Sequence, residues 1–353
     1  MTSAPTTVAP WLSTGRLAVL GTGTALPGAP VETDALIDHM ANRFGLNRRG
    51  EARAISRRMA IRSRHFCRPF DARDEVARPG QSNPDLVASA VLSALDDAGL
   101  TVDDIGYLIG HTTTPLQPIP SNIALAADRL GYRGPHLELR QACTGFANAS
   151  MIAFGLLSVP DAKPVVLVGS ETGSLWFDPA HAIDDTSQLV NLMQMGDGAA
   201  AIVLGPAADT GPVLHAAWFG ALGLGKAPGL HVRHGATEFD HDYAAILASG
   251  PALFDAGVAS ARLQGISLES ADIIVPHQVS GRVATQIEQR FGLAPGDAFT
   301  CANRLGNTGS AAMWMALSEL RRDGLAQGAR ILALGAEATK FMYGGFVYDH
   351  PRS

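Results

Sequence analysis

The chain has 353 residues, 46% of them hydrophobic, and a formal net charge of −6. That is enough apolar material for one large two-part unit or two ordinary domains, and the acidic balance disfavours general nucleic-acid binding. Three cysteines, Cys67, Cys143 and Cys301, are odd in number and never closely paired, which argues against a disulfide framework or a zinc site and fits a reducing cytoplasm. Residues 1–16 are expected to be a flexible tail, since they lack a basic start followed by an apolar core, and no apolar run reaches the roughly 18 residues needed to cross a membrane.

In chain order, Leu17 to Leu20 reads as an opening strand, followed by a tight glycine loop at Gly21-Thr22-Gly23-Thr24 and a helix from Asp34 to Phe44. The loop lacks the spacing and the Lys-Ser/Thr ending of a phosphate-binding loop. Between Arg43 and Arg68 stand nine arginines against the single acid Glu51, a local balance of +8. Such a segment suits an anionic partner, and without interleaved aromatics it suits the phosphates of a carrier or cofactor better than nucleic acid. Helices follow at Asp85 to Ala98 and Asn122 to Leu130, each ending at a glycine, with strands at Ile105 to Ile109, Val165 to Val168 and Ala199 to Leu204. Strand and helix alternate, as in an α/β protein.

The stretch around Cys143 stands at a strand-to-helix turn: alternating residues precede it, and a small, apolar helical run extends behind it to Leu157. Unpaired N–H groups at a helix start favour a thiolate, so Cys143 is a candidate acyl-accepting nucleophile. The second half repeats the first. Gly99 and His111 recur as Gly265 and His277 at an offset of 166, Arg129-Leu130-Gly131 as Arg290-Phe291-Gly292 at 161, and Thr144-Gly145 as Thr308-Gly309 at 164. A duplicated α/β unit follows, with halves at 17–212 and 213–353 related by a pseudo-twofold axis. In that register Cys143 aligns with Asn307, and His277 opens a loop on the same side, so both are expected near the cysteine at the join.

Four motifs, Ala142-Cys143-Thr144-Gly145-Phe146, Gly196-Asp197-Gly198-Ala199-Ala200, Val275-Pro276-His277-Gln278 and Gly306-Asn307-Thr308-Gly309-Ser310, together resemble those of β-ketoacyl-acyl carrier protein synthase III in the thiolase superfamily. The resemblance implies a five-layered αβαβα fold, a homodimer, Cys143 as nucleophile, and His277 with Asn307 as its partners. It implies acyl-coenzyme A or acyl carrier protein donors and a malonyl thioester as substrates, with no bound cofactor and no metal. Arg58, Arg62 and Arg282 become candidates for docking a carrier or its phosphate.

Three departures qualify the match. Ser280 stands where the family commonly has Asn, Ala54 where many members have a tryptophan that stacks on adenine, and Gly335-Ala336-Glu337-Ala338-Thr339-Lys340 replaces a glycine-rich turn. The altered turn keeps open an acyltransferase that passes the Cys143-bound acyl group to an alcohol or amine; a non-catalytic partner subunit is the rival of another class. Trp176 to Met195 is expected to be mainly core, with an acyl tunnel or dimer seam as alternatives.

Overall fold

The computed structural model describes residues 9–69, 77–207, 210–232, 235 and 237–352. Among the described residues, the main sheet takes five longer strands from the first half: β1 (Arg16–Ala25), β2 (Tyr107–His111), β3 (His136–Leu139), β4 (Val165–Glu171) and β5 (Gly198–Pro206). Four belong to the second: β6 (Val213–Ala221), β7 (Ile273–Pro276), β8 (Arg330–Glu337) and β9 (Met342–Asp349). Their spatial order is β7-β8-β9-β6-β1-β5-β4-β2-β3.

The two halves repeat one topology. β2–β4 is parallel, with β4–β5 and β5–β1 antiparallel; likewise β7–β8 is parallel, with β8–β9 and β9–β6 antiparallel. The counterpart of β3 is reduced to a parallel bridge between Ile274 and Ala298. β1 and β6 join the halves antiparallel, Leu17 opposite Leu214.

The longer helices are α1 (Thr33–Phe44), α2 (Arg49–Met59), α3 (Asn83–Ala98), α4 (Asn122–Leu130), α5 (Gly145–Leu156), α6 (Thr186–Gln194), α7 (Tyr243–Leu263), α8 (Val283–Phe291) and α9 (Ala312–Asp323). Strand alternation sets the layers. Val166 and Val168 face outward to Leu86, Val91 and Ile123 of α3 and α4, while Val165 and Leu167 face inward to Phe146 and Ala149 of α5 and Trp314 of α9. In the second half Ile331 and Phe346 join that inner cluster, and Leu332 and Val347 pack outward on Leu253 and Val258 of α7 and Ile287 of α8. The result is five layers, αβαβα. A smaller cluster, including Ile37, Met40, Ala52, Leu189 and Leu192, ties α1, α2 and α6 together above one end.

Helix ends follow the sequence signals: Gly99 and Gly131 close α3 and α4 in the left-handed conformation, at φ 65° and 68°. Other expectations need correction. The glycine run at 21–24 is strand, not loop, because bare Gly21 and Gly23 let α3 lie directly on β1; a Cβ on either would stand 2.3 Å from backbone atoms of Ala94. Residues 1–8 of the expected tail lie outside the described residues, but Trp11–Leu12 already pairs with β6, Trp11 opposite Phe219. Among the described residues one helix, α7, is long and apolar enough to cross a membrane by length and composition, although it carries Pro251, Asp255 and Arg262 along its unbroken length. Its stripe of Leu253, Val258 and Ala261 packs into the core as an outer-layer helix does.

Trp314 is fully buried, edge-on to Phe146 at 5.8 Å and stacked on Phe346 at 5.3 Å. Trp314→Ala is expected to lower unfolding free energy by about 3–5 kcal/mol, read as a shifted urea midpoint with unchanged slope.

Candidate active site

Cys143 follows β3 by four residues, half-buried, just ahead of α5. Asn307 stands in the equivalent place, ahead of the single turn Gly309–Ala311 that leads into α9. Both line one cavity of about 110 Å³. Asn307 is seated by its backbone, which donates to Gln194 O at 2.8 Å and accepts from Gly196 N at 3.1 Å. That pairing needs Gly196 bare, since a Cβ there would lie 1.9 Å from the Leu305 carbonyl oxygen. The Asn307 Oδ1 accepts from Gly309 N at 3.0 Å, which orients the amide so that Nδ2 is its free donor.

His277 directly follows β7, and its N–H donates to Leu334 O on β8 at 2.8 Å. The ring is buried, with no partner for Nδ1 among the described residues. Burial pushes its pKa down to about 4, so the imidazole is neutral near pH 7. It lies outside the cavity wall that Cys143 and Asn307 share, at the same end of the parallel strands β7 and β8 from which Glu337 reaches Thr144.

Glu337 and Glu171 are the groups that sequence reasoning did not place. Glu337 is buried at the end of β8, and its Oε2 accepts from Thr144 N at 2.9 Å and Thr144 Oγ1 at 2.6 Å. Its other oxygen accepts from Thr339. The altered turn therefore puts a carboxylate on the helix start. Glu171, at the end of β4, lines the cavity and accepts from Thr113 N and Oγ1, from Thr114 and from Ser310, so both halves hold it. Burial raises its pKa against these hydrogen bonds.

The expectation of a thiolate favoured by the helix start is reversed. Burial first, then the Glu337 and Glu171 carboxylates, push the Cys143 thiol well above its ordinary value. Cys67 and Cys301 are raised as well, Cys67 by burial and by Asp197, Cys301 by burial to about 12. What distinguishes Cys143 is access: the other two are sealed in the core, whereas Cys143 opens on the cavity. Replacing Glu337 by Gln removes a negative neighbour and so lowers the thiol pKa. The Glu337→Gln variant is expected to be alkylated by iodoacetamide faster than wild type at pH 8, with its pH–rate curve displaced to lower pH.

The arginine-rich segment divides by role. Arg64 and Arg68 are buried, with Arg64 donating to Met193 O and Arg68 to Ser174 O, while Arg48, Arg49 and Arg53 pair with Glu51, Asp38 and Asp34. Arg57, Arg58 and Arg62 are exposed, and Arg282 joins them, its guanidinium donating to Arg57 O at 3.3 Å. Ala54 is exposed on α2 and Ser280 takes part in the loop beyond His277, its Oγ accepting from Arg282 N. Of the Trp176 to Met195 stretch, Phe177, Leu189, Leu192 and Met193 are core, whereas Asn191, Gln194 and Met195 line the cavity.

Residues 137–221 match the family model of 3-oxoacyl-[acyl-carrier-protein] synthase III, and residues 262–348 match the model of its C-terminal part. β-Ketoacyl-[acyl-carrier-protein] synthase III of Xanthomonas campestris is 30% identical over 302 residues, covering 82% of this chain and 87% of the relative. That of Thiobacillus denitrificans is 28% identical, covering 92% and 97%. Among solved structures, the tetronic acid condensing enzyme AbyA1 is similar with a TM-score of 0.82 at 26% identity, covering 94% of this chain and 99% of that one. The 3-oxoacyl-(acyl carrier protein) synthase III of Pseudomonas aeruginosa gives 0.77 at 25% identity, covering 96% and 99%. With the thiolase-like five-layered fold and this extent of identity, the chain belongs to the β-ketoacyl-[acyl-carrier-protein] synthase III family of acyl-transferring condensing enzymes.

Proposed function

We propose that this protein carries out a decarboxylative condensation through Cys143. The observation that carries the reading is the shared cavity of Cys143 and Asn307, with the Asn307 amide turned so that its donor is free. An acyl thioester, from coenzyme A or a carrier protein, enters. The Cys143 proton passes to a base, the new thioester bond forms at Sγ, and the donor thiol leaves with a proton. That base is read as neutral His277, which follows β7 at the strand end from which Glu337 reaches Thr144. A malonyl thioester then loses carbon dioxide, and its enolate oxygen is held by the Asn307 Nδ2–H and the imidazole N–H. The enolate carbon attacks the acyl carbon and expels the Cys143 thiolate.

Asn307→Ala is expected to acylate Cys143 normally but to lose about 100- to 1,000-fold in carbon dioxide release from malonyl thioester. Acyl-enzyme formation and labelled carbon dioxide release are measured on the same preparation. A wild type that acylates but never decarboxylates malonyl donors, and instead passes its acyl group to an alcohol or amine, makes the protein an acyltransferase without condensation.

A carrier protein docks, in this reading, on exposed Arg57, Arg58, Arg62 and Arg282, and the attraction weakens with salt. Arg58→Glu combined with Arg282→Glu is expected to raise KM for carrier-borne substrate by about tenfold or more, leaving a pantetheine thioester nearly unaffected. Equal effects on both substrates place docking elsewhere. The protein is read as a cytoplasmic homodimer; Ile119, 86% exposed on the loop that brings Thr113 to the cavity, suits a subunit contact.

A further inference from the structure

The cavity beside Cys143 holds more polar side chains than an alkyl chain can use, and their remaining hydrogen-bonding capacity is legible. Asn191 is spent: Nδ2 donates to Gln188 Oε1 and Phe239 O, and Oδ1 accepts from the Tyr243 hydroxyl. Glu171 is spent on Thr113, Thr114 and Ser310. Besides the Asn307 Nδ2 donor, two acceptor-bearing groups are not. The Gln194 Nε2 donates to Val279 O at 2.9 Å, which fixes the amide and leaves Oε1 an acceptor with no protein partner among the described residues. The His241 Nδ1 lies 3.3 Å from Phe239 O; a carbonyl only accepts, so Nδ1 carries the proton and Nε2 is a lone-pair acceptor. Its ring is stacked on Tyr243 at 5.0 Å, and burial lowers its pKa, so the ring is rigid and neutral.

Gln194 and His241 both line the cavity, each with one acceptor atom left over, and such a wall favours donors on the ligand. An acyl chain of methylenes would desolvate both without pairing either, which is unfavourable. At about 110 Å³ the cavity has room for about four water-sized groups at roughly 30 Å³ each, which suits a short acyl group. We propose that the acyl group carried by Cys143 is short and hydroxylated, its hydroxyl donating to His241 Nε2 or Gln194 Oε1. This rests on Cys143 being the acyl acceptor and specifies what it accepts.

The test uses purified wild-type protein and pantetheine thioesters of butyrate, racemic 2-hydroxybutyrate, racemic 3-hydroxybutyrate and racemic 3-fluorobutyrate, with initial acylation of Cys143 followed by peptide mass spectrometry. At least one hydroxylated donor is expected to acylate about tenfold faster than butyryl. The 3-fluoro compound, similar in size but without a proton to give, is expected to follow butyryl. Gln194→Leu combined with His241→Phe is expected to erase the preference, its hydroxylated and butyryl donors acylating at one common rate; the wild-type series decides the matter even where that variant does not fold. Equal or faster acylation by butyryl overturns the substrate assignment and leaves Cys143 as acyl acceptor intact. A hydroxylated preference that the folded double variant retains also overturns the assignment to these two residues. No adduct on Cys143 from any of the four thioesters overturns both readings.

Discussion

The contact of Phe146 with Trp314 is the constraint on which the arrangement depends. Phe146 is in the first turn of α5 and Trp314 in the first turn of α9, and their rings meet edge to face at 5.8 Å. Because the two halves repeat one topology, equivalent helices meet in the central layer with their starts on the same side. What immediately precedes each start is therefore delivered to one place: Cys143 ahead of α5 and Asn307 ahead of α9. The cavity is a consequence of packing two copies of one unit back to back, and neither half alone supplies its wall.

The fold was legible because its signals are local or periodic. Glycines close α3 and α4, strand residues alternate between apolar clusters, and the repeat offset of 161 to 166 residues maps onto duplicated strand order. The glycine run in β1 was misread because glycine marks a turn and a close approach alike, and only the helix lying on it distinguishes them. The apolar length of α7 was missed because Pro251 and Asp255 break its run in the sequence, whereas in the helix their side chains occupy separate positions around one axis.

The site was legible in its positions but not in its electrostatics. Cys143 and Asn307 follow from motif and register. Glu337 was visible only as an oddity in the turn, since no sequence signal says that a carboxylate 193 positions away will accept the Thr144 N–H. That contact inverted the inference from the helix start: the dipole argument assumes unpaired N–H groups, and one is already paired with an anion. Gln194 and His241 escaped notice for a similar reason. Gln194 sits among the apolar residues Leu192, Met193 and Met195 and His241 between Asp240 and Asp242, and their significance lies in which of their atoms are already bonded.

A nucleophile beside two buried carboxylates looks poorly prepared, yet the arrangement is consistent. Each carboxylate is held by several donors, Glu171 by residues of both halves and Glu337 by Thr144 and Thr339, so neither is left unsatisfied in a dry site. Burial first and then their charge favour the protonated thiol, the less reactive form of cysteine. Acylation then converts a group that would have to carry charge into a neutral thioester, for which the same surroundings bear no ionisation penalty. In the proposed reaction the carboxylates thus disfavour the free thiolate much more than the acylated cysteine, and the thiol proton leaves as the new bond forms.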